Sequence, residues 1–219
     1  MTLEELITEF RIVSGDGRVP YLWSDAALTV WANEAEREAC RRAPLLVDSR
    51  GDVSTVTAPA DDPYIEYDSA IIAIRRAKVA SQSSPLALMT VQEMDKERPG
   101  WEDDTSSELE ALVVDTNSGA LRAYPTPTAA VEITLTVQRL PAAEMEDVSD
   151  EPEIRPGYHL RLVDWMLYRA YSVDDIDKGD PDKATKHLTI FANEFGTSTA
   201  RIETFFLGIG QHVWSGGVR

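Results

Sequence analysis

Two hydrophobic periodicities divide the chain. Leu3, Leu6, Ile7 and Phe10 recur at helical spacing behind Thr2 and Glu5, which form a capping box, so a first helix is predicted to about Val13, stopping at Ser-Gly-Asp-Gly. Ser24 or Asp25 caps a second helix whose apolar face is Leu28, Trp31, Ala32, Ala35 and Ala39, small enough for another helix to approach closely. Glu38 and Arg42 stand four apart, an arrangement worth about 0.3 kcal/mol, and Pro44 ends the helix by pushing Ala43 out of helical space.

From about residue 51 the period changes to alternation. Val53 to Thr57, Tyr64 to Tyr67, Ala70 to Ala80 and Pro85 to Met89 read as strands, although IIAIRRAKVA in the third also fits a helix. Thr90 with Glu93 makes a second capping box, opening a short helix closed by Pro99. LVVDTNSGALRAYP reads as a hairpin turning at Asn117, Ser118 and Gly119. In VEITLTVQ, Val131, Ile133, Leu135 and Val137 share one face, and Glu132, Thr134, Thr136 and Gln138 the other, the pattern of a strand with one wet side. Strands without long intervening helices imply a mostly antiparallel sheet or small barrel rather than a dinucleotide-binding fold.

Helical spacing returns after Pro141. EPEIRPGYHLRLVDWMLYRAY reads as one helix with Leu160, Leu162, Val163, Met166, Leu167, Ala170 and Tyr171 on a broad apolar arc. Arg161, Asp164, Trp165, Tyr168 and Arg169 take the narrower remaining face, where Asp164 reaches Arg161 and Trp165 is placed to stack on Arg169. Asp180-Pro181 starts a further helix with Ala184, Leu188, Phe191, Ala192 and Phe195 as its core stripe and Gly196 as its cap. Ser198 starts a last helix through Phe206, followed by a glycine-rich apolar tail. The fold class expected is α+β: a discontinuous helical bundle from residues 1–49 and 142–206, an inserted, mostly antiparallel β domain at 50–141, and a flexible tail at 207–219.

Charge sharpens this picture. The net charge is −17 over 219 residues, and the segments 90–110, 142–155 and 174–182 carry all but two of those net charges. A field of that sign repels phosphate, which disfavours sequence-reading DNA binding. No apolar run approaches the roughly 18–20 residues of a membrane span, and MTLEELITEF is unlike a signal peptide, so a soluble chain without a membrane anchor, made in a cytoplasm, is expected. The single cysteine, Cys40, allows no intrachain disulfide.

Candidate chemistry is sparse. Counted from Asp175, DDIDKGDPD places Asp180 at the sixth position and Lys186 at the twelfth, where an EF-hand needs glycine and glutamate. His159 and Asp164 are five apart, a poor spacing on a helix, with no nucleophile elbow nearby, and His187 stands alone beside an apolar stripe. No Walker or Rossmann glycine pattern is present. No catalytic, cofactor or metal residues are therefore assigned. The carboxylates of DKERPGWEDDTSSELE leave one enzymatic alternative, an acid and base pair acting on peptidoglycan, provided their separation and environments suit it. Arg41-Arg42 and Arg75-Arg76-Lys78 are small basic spots suited to acidic faces of neighbouring subunits.

Several stretches carry a family resemblance: YLWSDAALTVWANEAEREACRRAPLL, PGW at 99–101, GALRAYPTP at 119–127, LTVQRLP at 135–141, PEI, YHLRLVDWMLYRAY and ATKHLTIFANEFG. In their order and spacing the chain resembles the head-to-tail adaptors of tailed bacteriophages, similar in kind to the tail tubular protein A class of short-tailed phages. The resemblance implies a non-enzymatic virion protein at the head–tail junction, a ring of twelve subunits with portal protein on one side and tail tube or nozzle protein on the other. Double-stranded DNA would pass through its lumen without sequence-specific binding. It also implies a C-terminal tail docking on the portal, here Phe205 to Arg219 with Phe206, His212 and Trp214 as anchors. Arg161, Asp164, Trp165, Arg169, Arg75 and Arg76 are the candidates for subunit contacts. Another phage tail-completion ring protein is the remaining structural alternative.

Overall fold

The structure, a computed structural model, describes residues 1–173 and 179–197. In chain order its elements begin with α1 (Leu3–Ser14), α2 (Asp25–Arg42), β1 (Val47–Asp48), β2 (Thr55–Ala58), β3 (Tyr64–Glu66), β4 (Ile71–Val79) and β5 (Ala87–Met89). They continue with α3 (Val91–Glu97), β6 (Thr105–Ser106), β7 (Ala111–Asn117), β8 (Ala120–Tyr124), β9 (Thr126–Pro127), β10 (Val131–Arg139), α4 (His159–Tyr171) and α5 (Pro181–Phe195). The fold is α+β. Among the described residues one compact unit is Met1–Leu46 with the chain from Leu140 onward, and the other is Val47–Arg139.

In the helical unit, α1 opens on the capping box, with Thr2 and Glu5 satisfying each other's backbone N–H, and closes on Gly15 at φ 80°, a left-handed position that glycine takes without a Cβ clash. Leu3, Leu6, Ile7 and Phe10 are all buried. Ser24 caps α2, Glu38 bonds Arg42 at 2.8 Å, and the extended Ala43 ends the helix before Pro44. α4 lies at the centre, packed on α1, α2 and α5. The 151–171 stretch is helical only from His159; Pro156–Tyr158 forms a single 3₁₀ turn, since Pro156 has no N–H to extend an α-helix backwards. On α4, Leu160 is 48% exposed while Trp165 is buried, the reverse of the wheel. With α2 on one flank and α5 on the other, the side of α4 that carries Trp165 faces protein. Asp180 caps α5, Pro181 takes its first position and Gly196 its end, while Ala184, Phe191 and Phe195 are buried. The helix expected from Ser198 and the tail at 207–219 lie outside the described residues.

In the other unit, β10 runs antiparallel to β4 along one edge and to β1 and β2 along the opposite edge. A second sheet has the order β3-β8-β7-β5, and β6 pairs with β9. Two pairings are parallel, β5 with β7 and β6 with β9. The first is a crossover: α3 lies between the two strands in sequence, the connection that a parallel pair requires. Ile133, Leu135 and Val137 of β10 share a core with Leu112, Leu121 and Ala123 of the second sheet. The opposite face of that second sheet is covered by Met94 and Trp101, which pack on Ala111, Val113 and Tyr124. The hairpin β7–β8 turns at Ser118 and Gly119, the glycine at φ 80°.

Two expectations for this unit change. The predicted strand from Val53 begins at Thr55, because Asp52–Ser54 forms a 3₁₀ turn held by Ser54 Oγ donating to the Gly51 carbonyl at 2.6 Å. Gln138 is buried rather than wet, and beside it the β4–β10 register shifts between Thr136 and Val137 and again between Gln138 and Arg139, the extra residue lying each time on β4. Such bulges break the alternation of faces along a strand. The first shift leaves Arg75 unpaired between Arg76 and Ile74, so two consecutive arginines emerge to solvent, Arg75 donating to Gln138 Oε1 at 3.4 Å.

Candidate functional site

The candidate contact residues on α4 are placed by the helices around it. Arg161 sits 3.5 Å from Asp164 and 3.8 Å from Glu194 of α5. Asp164 also meets His187 Nδ1 at 2.9 Å, and the His187 ring stacks on Tyr171. Trp165 packs on Phe191 with ring centres 5.0 Å apart, and the guanidinium over its ring is that of Arg42, at 5.2 Å. Arg169 turns to Glu34 of α2. Asp164 and Trp165 are thus enclosed within the helical unit, whereas Arg161 and Arg169 keep over 40% of their side-chain surface. Phe205, Phe206, His212, Trp214 and Arg219 lie outside the described residues.

His159 is a framework residue. Its Nε2 is 2.7 Å from the Ile154 carbonyl, which only accepts, so that nitrogen carries the proton and Nδ1 accepts from the Met1 amine at 2.9 Å.

Half of the eight carboxylates of 93–110 are tied into the β unit. Glu93 completes the cap of α3, and Asp95 accepts from the buried Trp101 indole at 3.0 Å. Tyr124 donates its hydroxyl to Asp104 at 2.9 Å, and Arg98 donates to Glu110 at 2.8 Å and to Tyr124 Oη at 3.3 Å. Burial, and then the bond to Asp104, push the Tyr124 phenol above its ordinary pKa. Glu97, Glu102, Asp103 and Glu108 are exposed. A cleft of about 290 Å³ between α3 and the sheet has Met89 and Met94 at its floor and the Arg98–Glu110 pair at its rim. An Arg-neutralised carboxylate beside a methionine floor lacks the paired acid and base in unequal environments that glycoside hydrolysis uses. Among the described residues, no three His, Cys, Asp or Glu side chains converge as metal ligands, and no helix is long and apolar enough to cross a membrane.

Two polar clusters in the helical unit escape the sequence reading. The segment 140–155 is a strap clamped on α1 and α2. Asn33 donates to the Met145 carbonyl at 2.9 Å and accepts from its N–H at 2.8 Å, and Glu36 accepts from Ile154 N–H at 3.1 Å. At the other end of α1, Arg11 bonds Asp16 and Asp25, both at 2.6 Å, donates to the Trp23 carbonyl, and covers the Tyr21 ring at 3.6 Å. The one signal in the sequence is polarity inside an apolar stripe: Asn33 and Glu36 alternate with Ala32, Ala35 and Ala39.

Burial pushes the Glu36 carboxyl above its ordinary pKa, with the N–H bonds from Ile154 and Glu153 opposing and the Glu153 charge adding to the rise. A raised folded-state pKa means that this contribution to stability is full below the ordinary glutamate range and lost as pH rises through the raised value. Glu36→Gln keeps an acceptor for Ile154 and does not ionise. In urea unfolding, its stability relative to the parent is therefore expected to climb as pH rises above the ordinary glutamate range, whereas parallel pH curves would remove Glu36 as the source.

The geometry is that of a framework with solvent-facing cations and apolar residues, and the comparison with known families agrees. No curated protein matches the chain. The family model described as SU10 adaptor protein matches residues 1–206, running through both structural units. The chain belongs to the SU10 adaptor protein family, and with it to the structural head-to-tail adaptors of bacteriophages.

Proposed function

We propose that this chain builds the adaptor ring of the virion neck: twelve copies, seated on the portal, receiving the tail tube or nozzle proteins on the other side, with DNA passing through the lumen. The observation that carries the reading is the family match through both the helical and the β unit. The acidic balance supports it, because a wall of like charge offers the DNA backbone no adhesive contact during ejection, whereas a basic wall would release counterions and hold it. Arg75 and Arg76, brought out side by side by the β4 bulge, and the half-exposed Arg161 and Arg169 are the cations offered to acidic faces of neighbouring subunits. The tail, with Phe205, Phe206, His212, Trp214 and Arg219, is assigned to the portal, where one or two aromatic anchors supply most of the binding. No observation favours the hydrolase reading, since the carboxylates with defined partners serve the framework.

Native mass measurement with and without portal protein tests this. The portal is expected to gain twelve subunits of 24.3 kDa each, and a stable monomer indifferent to portal would overturn the reading.

A further inference from the structure

Exposed large apolar side chains are concentrated on this molecule. Ile12, Val13, Val19, Tyr21 and Leu22 all lie at the C-terminal end of α1 and in the loop that follows, with Val19 80% exposed. The loop is pinned from beneath in spite of its exposure. Asp16, buried beneath it, accepts from Leu22 N–H at 2.7 Å and Trp23 N–H at 3.3 Å while bonded to Arg11. Trp23 in turn packs edge-on against Phe10 and Tyr171. Arg18, at the loop's outer side, is exposed.

The other end of α1 presents the complement. Leu3 and Glu4 N–H donate to the carbonyls of Asp150 and Val148, so the strap lies across the helix N-terminus, roughly 18 Å from the loop at 1.5 Å per residue. There the Asp150 carboxylate accepts from Glu146 and Asp147 N–H at 2.9 and 2.8 Å, making a tight turn with Val148 at its tip, 60% exposed. Glu146, Asp147 and Glu151 surround that tip and are exposed. Both surfaces are held in shape before any contact forms, which lowers the ordering cost of association.

We infer that the loop of Arg18, Val19, Tyr21 and Leu22 docks on the Val148 turn of a second copy of this chain. Charge selects the pairing. A two-fold contact of loop on loop would set Arg18 against Arg18, and strap on strap would oppose carboxylates, whereas loop on strap matches cation to anions around an apolar centre. Because the two surfaces stand at opposite ends of one helix, the contact is head-to-tail and propagates from copy to copy until the rotation closes a ring. The inference rests on the adaptor reading for its closed ring and deepens it by naming the subunit contact.

The test is a full-length Val19→Cys, Val148→Cys double variant, both sites being exposed and the native Cys40 buried. Assembled with portal and oxidised, it is expected to give a covalent ladder rising to the full ring, whereas an equimolar mixture of the two single variants should stop at dimers. A ring of the expected mass without the ladder would overturn this contact and leave the adaptor function standing. Cross-links from Val19→Cys to portal or tail protein would overturn it by assigning the loop to another partner. If no multimer forms, free or with portal, both readings fall.

Discussion

Asn33→Ala is expected to destabilise the helical unit by about 3–5 kcal/mol, a large share of the 5–15 kcal/mol that holds a typical domain. Asn33 makes two bonds to the Met145 backbone, one in each direction, and both Asn33 and Met145 are buried. Truncation orphans a donor and an acceptor together, each costing about 1–3 kcal/mol away from water, and opens a small cavity beneath the strap. Asn33→Asp retains the acceptor but turns a buried, unpaired carboxylate oxygen toward the Met145 carbonyl, so at neutral pH it should cost at least as much as alanine. Urea unfolding followed by tryptophan fluorescence suits the measurement, because Trp23, Trp31 and Trp165 all belong to the helical unit. A loss below about 1 kcal/mol would mean that water enters and satisfies Met145, and that the strap is held by its apolar contacts instead.

Arg11→Ala is expected to cost about 3–5 kcal/mol, since it leaves the Asp16 carboxylate buried without its counter-charge. The side chains of Arg11 and Asp16 retain only 10% and 5% of their surface, so solvent does not stand in for the lost partner. The double variant Arg11→Ala, Asp16→Asn should recover part of the loss, because the amide oxygen still accepts from Leu22 N–H and the side chain carries no charge. Trypsin gives a local readout: Arg18 sits in the loop that Arg11 anchors, and cleavage there should accelerate in Arg11→Ala and slow again in the double variant. Unchanged cleavage would show that Trp23 alone holds the loop.

What could be read from the chain alone was what depends on near neighbours. The capping boxes Thr2 with Glu5 and Thr90 with Glu93, the buried set Leu3, Leu6, Ile7 and Phe10, and the Ser118-Gly119 turn are fixed within a few residues, and each stands in the structure as its pattern indicates. The Arg161–Asp164 pair, three apart on one helix, was readable for the same reason. Trp165 was not, because its burial follows from Phe191 of α5 and Arg42 of α2, and a wheel drawn for one helix contains neither. Gln138 departs from the alternation of β10, and the bulges beside it belong to a partner strand that the pattern of β10 alone does not contain. The clamp of Asn33 on Met145 joins residues 112 positions apart, and Arg169 reaches back 135 to Glu34. Of the candidate contact residues, the types were visible in the sequence; which of them keep free surface emerges only when the helices are packed.

The pairing of β1 with β10 sets Val47 directly across from Gln138. The first and last strands of the β unit are thus hydrogen-bonded neighbours, and roughly ninety residues of chain begin and end within about 5 Å of each other. For the helices, the folded β unit behaves as a connection no longer than a tight turn. By the logarithmic scaling of loop closure, that spares the two halves of the bundle about 3 kcal/mol relative to an unstructured loop of the same length. Order of folding then matters: a β unit that forms first hands the bundle two halves already held together, so a lesion in the β10 ladder also costs the bundle its closure. The same closure makes the unit exchangeable. Strands and loops between residues 47 and 139 are free to lengthen, shorten or be replaced, provided that the terminal pair of strands is kept and the distance between the two ends is unchanged.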